Sequence, residues 1–310
     1  MATQTLAEAA KLINNQIVAG VAEDILSINP AYSLLPFIGY DGQGLVVNRE
    51  NALGDAQTLA VGGTITAKAA STTTQTTFTA TKLIGDAEMD GLVQAQSSSA
   101  GVDQIQVEIS SKAKSIGRLF RQGIATGTGT SPAMNSYHSL ADASQYTTAS
   151  AGQALSFALL DELLDLVKAK DGQVDFIEMP ARTMRSYKIL LRGLGGTGAD
   201  FVVTLPDGRT TIGYEGIPIF KNEYLSVTET ANGAALTGGA LASVWAGVFD
   251  DGSQKVGVAG IHPSSVPAGI QVEQVGAAET MDQTIWRVKQ YANLANFNRR
   301  GLARLTSINN

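Results

Sequence analysis

The stretch TAKAASTTTQTTFTATKL, residues 66–83, consists almost entirely of threonine and alanine. Threonine is β-branched and stiff, so a run of this kind favours extended chain. Phe78 and Leu83 are its only large apolar side chains, and Lys68 and Lys82 are its only charged ones. An extended segment with so little apolar surface cannot form a core of its own, so it must pack against something else.

Short extended runs separated by glycine lie on the amino-terminal side of this stretch. Together they predict a long two-stranded excursion over residues 41–85. An isolated hairpin is marginally stable at best in water, so its support must come from another part of the chain or from another molecule. The glycines that punctuate it are Gly42, Gly44, Gly54, Gly62, Gly63 and Gly85.

Apolar residues recur at steps of three and four near the start of the chain, which predicts an amphipathic helical arm. The arm should end near Asn29, because the residue before a proline avoids the helical region. The apolar positions are Leu6, Ala9, Ala10, Ile13, Ile17, Val21 and Ile25.

After the excursion, DAEMDGLVQAQ predicts a short helix and VDQIQVEISSKAKSIGRLFRQGI, residues 102–124, a long one. The long helix has an apolar stripe from Val102 to Ile124 and basic residues late in its sequence, where they suit the helix dipole. Such a basic face can contact phosphate, although it is more often solvated or paired with acids. The basic residues are Lys112, Lys114, Arg118 and Arg121.

From about residue 152 the pattern is that of a compact α+β body. SFALLDELLDLVKAKDG and ARTMRSYKILLRGLGG predict helices, and TLPDGRTTI predicts a hairpin around Pro206 and Gly208. Alternating or apolar runs predict strands at GIPIF, SVWAGVF, VGVAGI, IQVEQVG and TIWRVKQYANLANFN.

Composition narrows the function classes. The chain has 310 residues, of which 44% are hydrophobic and only 16% charged, so it can build a large core beneath a surface poor in charge. Its net charge of -6 argues against a dedicated nucleic-acid binder. It has no cysteine, no secretory-signal pattern and no apolar run long enough to span a membrane, so a cytosolic setting is expected.

The sequence predicts no catalytic, cofactor or metal site. GLGGTG, residues 193–198, matches the dinucleotide fingerprint formally, but it follows a predicted helix where the fingerprint requires a strand. His138 and His262 have no partner at metal-ligand spacing. Asp161, Glu162 and Asp165 lie on the polar face of a helix and are expected to be solvated.

Three degenerate motifs, in this order, carry a resemblance to a known family. They are GYEGIPIFKNEYL at 213–225, SVWAGVFDDG at 243–252 and TIWRVKQYANLANFNRRGLARLTSI at 284–308. With the arm, the excursion and the long helix before them, they make the chain resemble the major capsid protein of tailed bacteriophages over nearly its whole length. That family has an α+β, HK97-like fold, also called the Johnson fold, with an N-terminal arm, an extended loop, a spine helix, a peripheral domain and an axial domain.

The resemblance implies a division of the chain and a set of contacts. The arm would be residues 1–40, the extended loop 41–85, the peripheral domain 86–125 with 254–290, and the axial domain 126–253 with 291–310. Contacts between subunits are expected at Ile13, Ile17, Lys68, Phe78 and Lys82. The basic face at Lys112, Lys114, Arg118 and Arg121 is expected to face the lumen or DNA.

By the same resemblance, the protein would be no enzyme and would bind no cofactor. It would self-assemble in the host bacterial cytoplasm into hexamers and pentamers of an icosahedral virion shell around double-stranded DNA, held by non-specific contact. A portal and a separate scaffolding protein are expected, a decoration protein is allowed, and membranes are not involved. Some members join a loop lysine to an asparagine. Lys68, Asn293, Asn296 and Asn298 are the available residues, but no motif aligns them with that chemistry.

Three alternatives stay open. An encapsulin-type nanocompartment shell would share the fold but enclose enzymes. A secreted threonine-rich surface protein would fit the lack of cysteine but not the missing signal sequence or the long helix. A nucleotide-binding α/β enzyme would have to use GLGGTG.

Overall fold

The computed structural model describes residues 34–99, 104–168, 172–194, 201–206 and 208–309. The predicted arm helix, with Ile13 and Ile17, lies outside these residues. Within the described residues the strands are β1 Phe37–Tyr40, β2 Leu45–Ala52, β3 Thr72–Phe78, β4 Thr81–Asp90, β5 Tyr146–Gln153, β6 Phe176–Met179, β7 Val202–Thr204, β8 Thr210–Tyr214, β9 Ile217–Lys221, β10 Ala242–Gly247, β11 Val258–Pro263, β12 Gln271–Ala277, β13 Gln283–Asn296 and β14 Leu302–Ile308. The helices are α1 Gly91–Ser99, α2 Gln104–Thr126, α3 Tyr137–Leu140, α4 Phe157–Lys168 and α5 Ala181–Gly193.

The threonine-rich stretch forms one strand of a two-stranded ribbon, which comprises β2, β3 and the connection between them. β2 and β3 are antiparallel, with Leu45 opposite Phe78 and Ala52 opposite Thr72. The connection, residues 53–71, is called the ribbon tip below. The predicted excursion is therefore present, and its two regular strands are confined to 45–52 and 72–78.

A second sheet, called the peripheral sheet, is organised around β13, the longest strand of the described chain. β13 pairs with β4 and β12 along its first part and with β11 along its last part, and β1 pairs with β11 on the far side. Helix α2 packs on β4 and β13. Its buried residues Ile116, Phe120 and Ile124 contact Leu83, Val288 and their neighbours in one apolar cluster, which confirms the predicted long helix and its stripe.

The axial sheet contains seven strands of the described residues in the order β5-β14-β10-β6-β9-β8-β7. Successive residues of a strand face opposite sides, and here both sides are covered. Val244 and Ala246 face a cluster formed with α4 and α5, while Trp245 between them faces a cluster with Tyr137 of α3. This two-sided burial explains why SVWAGVF contains an apolar run rather than a strict alternation.

The prediction of a helix over DAEMDGLVQAQ is wrong in its first half. Residues 86–90 continue strand β4, and the helix begins only at Gly91. The physical reason is a partner distant in sequence, since the Arg287 guanidinium of β13 makes two hydrogen bonds of 2.9 and 2.8 Å to the Asp86 carboxylate. Asp90 then accepts a 2.9 Å hydrogen bond from the Leu92 amide and caps the helix.

Candidate assembly surfaces

The ribbon tip keeps a defined shape without a core. The Gln57 side-chain oxygen accepts hydrogen bonds from the amides of Thr66 and Ala67, at 3.1 and 2.8 Å, and its amide nitrogen donates to the Thr64 carbonyl at 3.2 Å. A backbone hydrogen bond of 3.0 Å from Asp55 to Ala69 closes the base of the tip. A single glutamine therefore connects the two sides of the tip.

This ordered tip exposes large apolar side chains. Four of them are about half exposed or more among the described residues, and Val61 at the turn is fully exposed. Burying such a side chain completely stabilises a structure by about 1.5–3 kcal/mol. The tip thus offers an apolar surface that no described residue of its own chain covers. These side chains are Leu53, Leu59, Val61 and Ile65.

Phe78 does not belong to that surface, and here the structure corrects the expectation of a contact with another subunit. Its side chain is only 4% exposed, and its ring lies edge-on to Phe297 with the centroids 6.3 Å apart. Arg49 of β2 stacks over Phe78 at 5.6 Å and donates a 3.1 Å hydrogen bond to the Phe297 carbonyl. Phe78 anchors the root of the ribbon to its own chain.

We expect Phe78→Ala to destabilise the isolated chain by about 3–5 kcal/mol, because it leaves a cavity beside Phe297. Urea unfolding of the unassembled protein measures this loss. Val61→Ala is the matched control, since an exposed site should change stability by less than about 0.5 kcal/mol. Equal stability of the two variants would contradict the anchoring role of Phe78.

Lys68 and Lys82, the other described residues of the expected contact set, are both exposed. Lys68 lies in the ribbon tip and Lys82 at the start of β4, so they stay candidates for a contact. Of the asparagines considered for a cross-link, Asn293 and Asn296 are buried, and Asn298 is exposed in the turn after β13. The Asn293 amide is engaged within its own chain, where it donates a 2.7 Å hydrogen bond to the Thr79 carbonyl.

The basic residues of α2 do not form one face. At 100° per residue, Lys114, Arg118 and Arg121 lie within about 60° of one another, while Lys112 lies at least about 120° from each of them. Lys112 instead packs near Gly85 of β4 and forms an i,i+4 ion pair of 3.7 Å with Glu108. The candidate phosphate-facing set is thus reduced to Lys114, Arg118 and Arg121.

A buried polar cluster lies beneath the axial sheet and was not predicted from the sequence. The Arg304 side chain is fully buried, and its guanidinium lies 3.0 Å from the Glu229 carboxylate, 3.0 Å from the Ser243 hydroxyl and 2.7 Å from His138 Nδ1. The Trp245 ring lies 5.0 Å away on one side. Burial raises the pKa of Glu229, although Arg304 and Ser243 act against that shift.

This cluster predicts a dependence of stability on pH. Burial and, after it, the positive charge of Arg304 lower the pKa of His138. The unfolded chain therefore binds a proton on this histidine more readily than the folded one does, and stability should fall as the pH drops below about 6.5, by at most ~1.4 kcal/mol per pH unit. Unfolding at pH 7.5 and pH 5.5 measures the slope. His138→Asn, which keeps a hydrogen-bond acceptor, should flatten it, and an unchanged slope would contradict the assignment.

The remaining sequence candidates form no site in the described residues. No group of three or more histidine, aspartate or glutamate side chains able to hold a metal ion occurs in that part of the chain. His262 Nδ1 lies 2.8 Å from the Val266 carbonyl within its own loop. Most of GLGGTG lies outside the described residues. None of the described helices is both long and apolar enough to cross a membrane.

Solved structures similar to this chain match it over nearly its full length. An encapsulin chain from the holo-SrpI complex of Synechococcus elongatus PCC 7942 has a TM-score of 0.73 at 16% identity, covering 99% of this chain and 96% of that one. A capsid chain of a native GTA particle has a TM-score of 0.70 at 10% identity, covering 99% of each chain.

The capsid protein of cyanophage A-1(L) has a TM-score of 0.69 at 12% identity, covering 97% of this chain and 98% of that one. The chain has the HK97-like capsid fold. No family model matches the sequence, and no curated protein matches it significantly. At 10–16% identity, the likeness to these structures is one of fold.

Along the chain, the ribbon comes before α2, and the seven strands of the axial sheet come after α2. Most of the apolar surface of the ribbon tip is left exposed by the residues that the structure describes.

Proposed function

We propose that this chain is the major capsid protein of a tailed bacteriophage. It self-assembles in the host bacterial cytoplasm into hexamers and pentamers of an icosahedral virion shell, which encloses double-stranded DNA. Its role is structural, without catalysis. The observation that carries the proposal is the ribbon tip, which is held in shape by Gln57 yet presents Leu59, Val61 and Ile65 uncovered.

The energetics support assembly. Each tip buries its apolar side chains only when a neighbouring subunit covers them, so the stability of the shell depends on protein concentration. Each contact is modest, but a closed shell repeats it at every subunit. Lys68, in the same tip, lies where it can contact that neighbour. The proposed arm contacts at Ile13 and Ile17 add a second region in which neighbouring subunits overlap. For each subunit we propose the domain division given above.

The same proposal identifies a surface that faces the lumen of the shell and the partners of the chain in assembly. Lys114, Arg118 and Arg121 form the candidate surface toward packaged DNA, with non-specific contact to phosphate. A net charge of -6 over the whole chain limits adhesion of DNA to the shell wall. A portal and a separate scaffolding protein are the expected partners in assembly, and a decoration protein is allowed.

An encapsulin-type shell is the second candidate, and the structural similarity to the Synechococcus elongatus encapsulin chain favours considering it. The two candidates share the fold and the self-assembly but differ in contents. Terminase, portal and tail genes beside the coding gene support the capsid. A peroxidase or ferritin-like cargo gene in that position supports the encapsulin.

Expression of the full chain in bacterial cytoplasm tests the proposal. We expect the purified protein to sediment as closed particles that negative-stain electron microscopy resolves as regular shells. If the particles are irregular, the chain is co-expressed with the neighbouring scaffolding gene as a second condition. A protein that sediments as a monomer at high concentration under both conditions contradicts the proposed function.

A further inference from the structure

A polar groove of about 550 Å³ lies at the root of the ribbon. It is bounded on one side by β2 and on the other by the turn after β13. Its charged lining consists of four cations and one carboxylate, in a chain that is acidic overall. These residues are Arg49, Lys255, Arg299, Arg300 and Glu50.

The cations of the groove are held close together. Arg49 is fixed by its hydrogen bond to the Phe297 carbonyl, and burial and then the charge of Arg299 lower the pKa of Arg49. Arg299 pairs with Asp142 at 2.7 Å. Among the described residues, no carboxylate forms an ion pair with Lys255 or Arg300. The groove is therefore short of negative charge.

A second charged surface, called the acidic tip below, lies at the β12–β13 turn, where the peripheral sheet meets the start of α1. It holds four carboxylates, and residues 88–95 and 277–284 contain no lysine or arginine. The Gly91 amide donates a 2.9 Å hydrogen bond to the Asp282 carbonyl, which joins the two segments. The carboxylates are those of Glu88, Asp90, Glu279 and Asp282.

Apolar side chains project from the same acidic tip. Leu92 is 64% exposed, Met281 is 62% exposed and Val93 is also exposed. Exposed apolar side chains bordered by charge of one sign are typical of a surface that a partner covers. The charge of the acidic tip favours a partner surface that is basic.

The groove and the acidic tip lie at opposite ends of one strand. Gln283 at the start of β13 pairs with Asp90, and Phe297 of the groove directly follows Asn296 at its end. A strand rises about 3.3 Å per residue, so the 14 residues of β13 separate the two surfaces by about 40 Å. A chain cannot place its own acidic tip in its own groove, but a second copy can.

We propose that the groove at the ribbon root receives the acidic tip of a neighbouring copy of this chain. The contact is heterologous, because two different surfaces meet, and repetition of such contacts closes a ring or a shell. It rests on the proposed function and specifies which surfaces join the subunits. Opposite charges across the contact also guide subunits into register and disfavour wrong pairings.

A charge-exchange experiment tests this contact. The groove variant is Lys255→Glu with Arg300→Glu, and the tip variant is Glu88→Lys with Glu279→Lys and Asp282→Lys. We expect each to lower the yield of shells at least tenfold, because surfaces with net charge of the same sign then face each other. A chain carrying all five substitutions restores the opposite signs and should assemble within about threefold of the unaltered protein. Arg185→Glu with Lys188→Glu, on the exposed side of α5, is the matched control and should leave the yield unchanged.

The outcomes separate the two proposals. If the unaltered chain forms no shells, the proposed function fails and this contact fails with it. If the unaltered chain forms shells and the groove and tip variants do so equally well, only the contact is overturned. A five-substitution chain that assembles no better than either variant also overturns it. Thermal unfolding of every variant before assembly verifies that each chain is folded.

Discussion

Replacement of the ribbon tip, residues 53–71, by a two-residue Asn-Gly turn yields a chain that folds but forms no shells. Ala52 and Thr72 are opposite each other in the ribbon, so a two-residue turn joins β2 to β3 without changing their register. The buried anchor at Phe78 lies outside the deletion and keeps the root in place. Sedimentation velocity at matched concentrations measures the loss of particles.

The loss of assembly follows from the apolar area that the tip contributes. Burial of Leu59, Val61 and Ile65 against a neighbour supplies roughly 1.5–3 kcal/mol per side chain at most. Every subunit of the shell loses this burial free energy, so even a partial loss at each contact prevents the shell from closing. Thermal unfolding of the unassembled chain should change little.

A variant of constant length separates apolar burial from tip shape. Leu59→Ser with Val61→Ser should reduce assembly strongly, whereas Thr58→Ser with Thr64→Ser, in the same tip, should not. Both pairs leave the Gln57 side chain and its hydrogen bonds in place. Equal assembly of the two pairs would mean that the tip is not covered through its apolar side chains.

Arg304→Ala produces the largest loss of stability that we expect from a single polar residue, about 3–5 kcal/mol. The substitution leaves the Glu229 carboxylate and the Ser243 hydroxyl buried without their main partner. Denaturant unfolding of the unassembled protein at pH 7.5 measures the change. Arg299→Ala is the control, because its ion pair with Asp142 is largely exposed and should contribute at most about 1 kcal/mol.

A double-mutant cycle tests whether the loss arises from the ion pair. Arg304→Ala combined with Glu229→Gln should cost less than the sum of the two single variants, because the uncompensated buried charge is removed. Strict additivity would show that Arg304 acts through packing against Trp245 rather than through its charge.

Local patterns in the sequence predict those helices and strands whose conformation does not depend on which partner they pack against. The stripe from Ile105 to Ile124 predicts α2 because one helix face is buried whichever sheet lies below it. The same holds for β9, β10 and β13, where apolar and β-branched runs are long enough to identify strands. The order of these elements then predicts the HK97-like fold that the structural comparisons bear out.

The features that sequence patterns missed depend on partners distant in the chain. Phe78 is buried because Phe297 lies beside it, and residues 86–90 are extended because Arg287 pairs with Asp86 across 201 positions. Arg304 is the one charged residue of its strand, and nothing in the neighbouring sequence indicates that Glu229 is its partner. The NRR turn at 298–300 is part of a motif in the sequence, and the motif does not indicate that all three of its residues line the groove at the ribbon root.

A cryo-electron microscopy map of the assembled particle would show which residues surround Val61. We expect Leu59, Val61 and Ile65 of every ribbon tip to lie against residues of a different copy of the chain. A map in which the ribbon tip folds onto its own subunit, or stands in solvent with these side chains uncovered, would contradict this expectation.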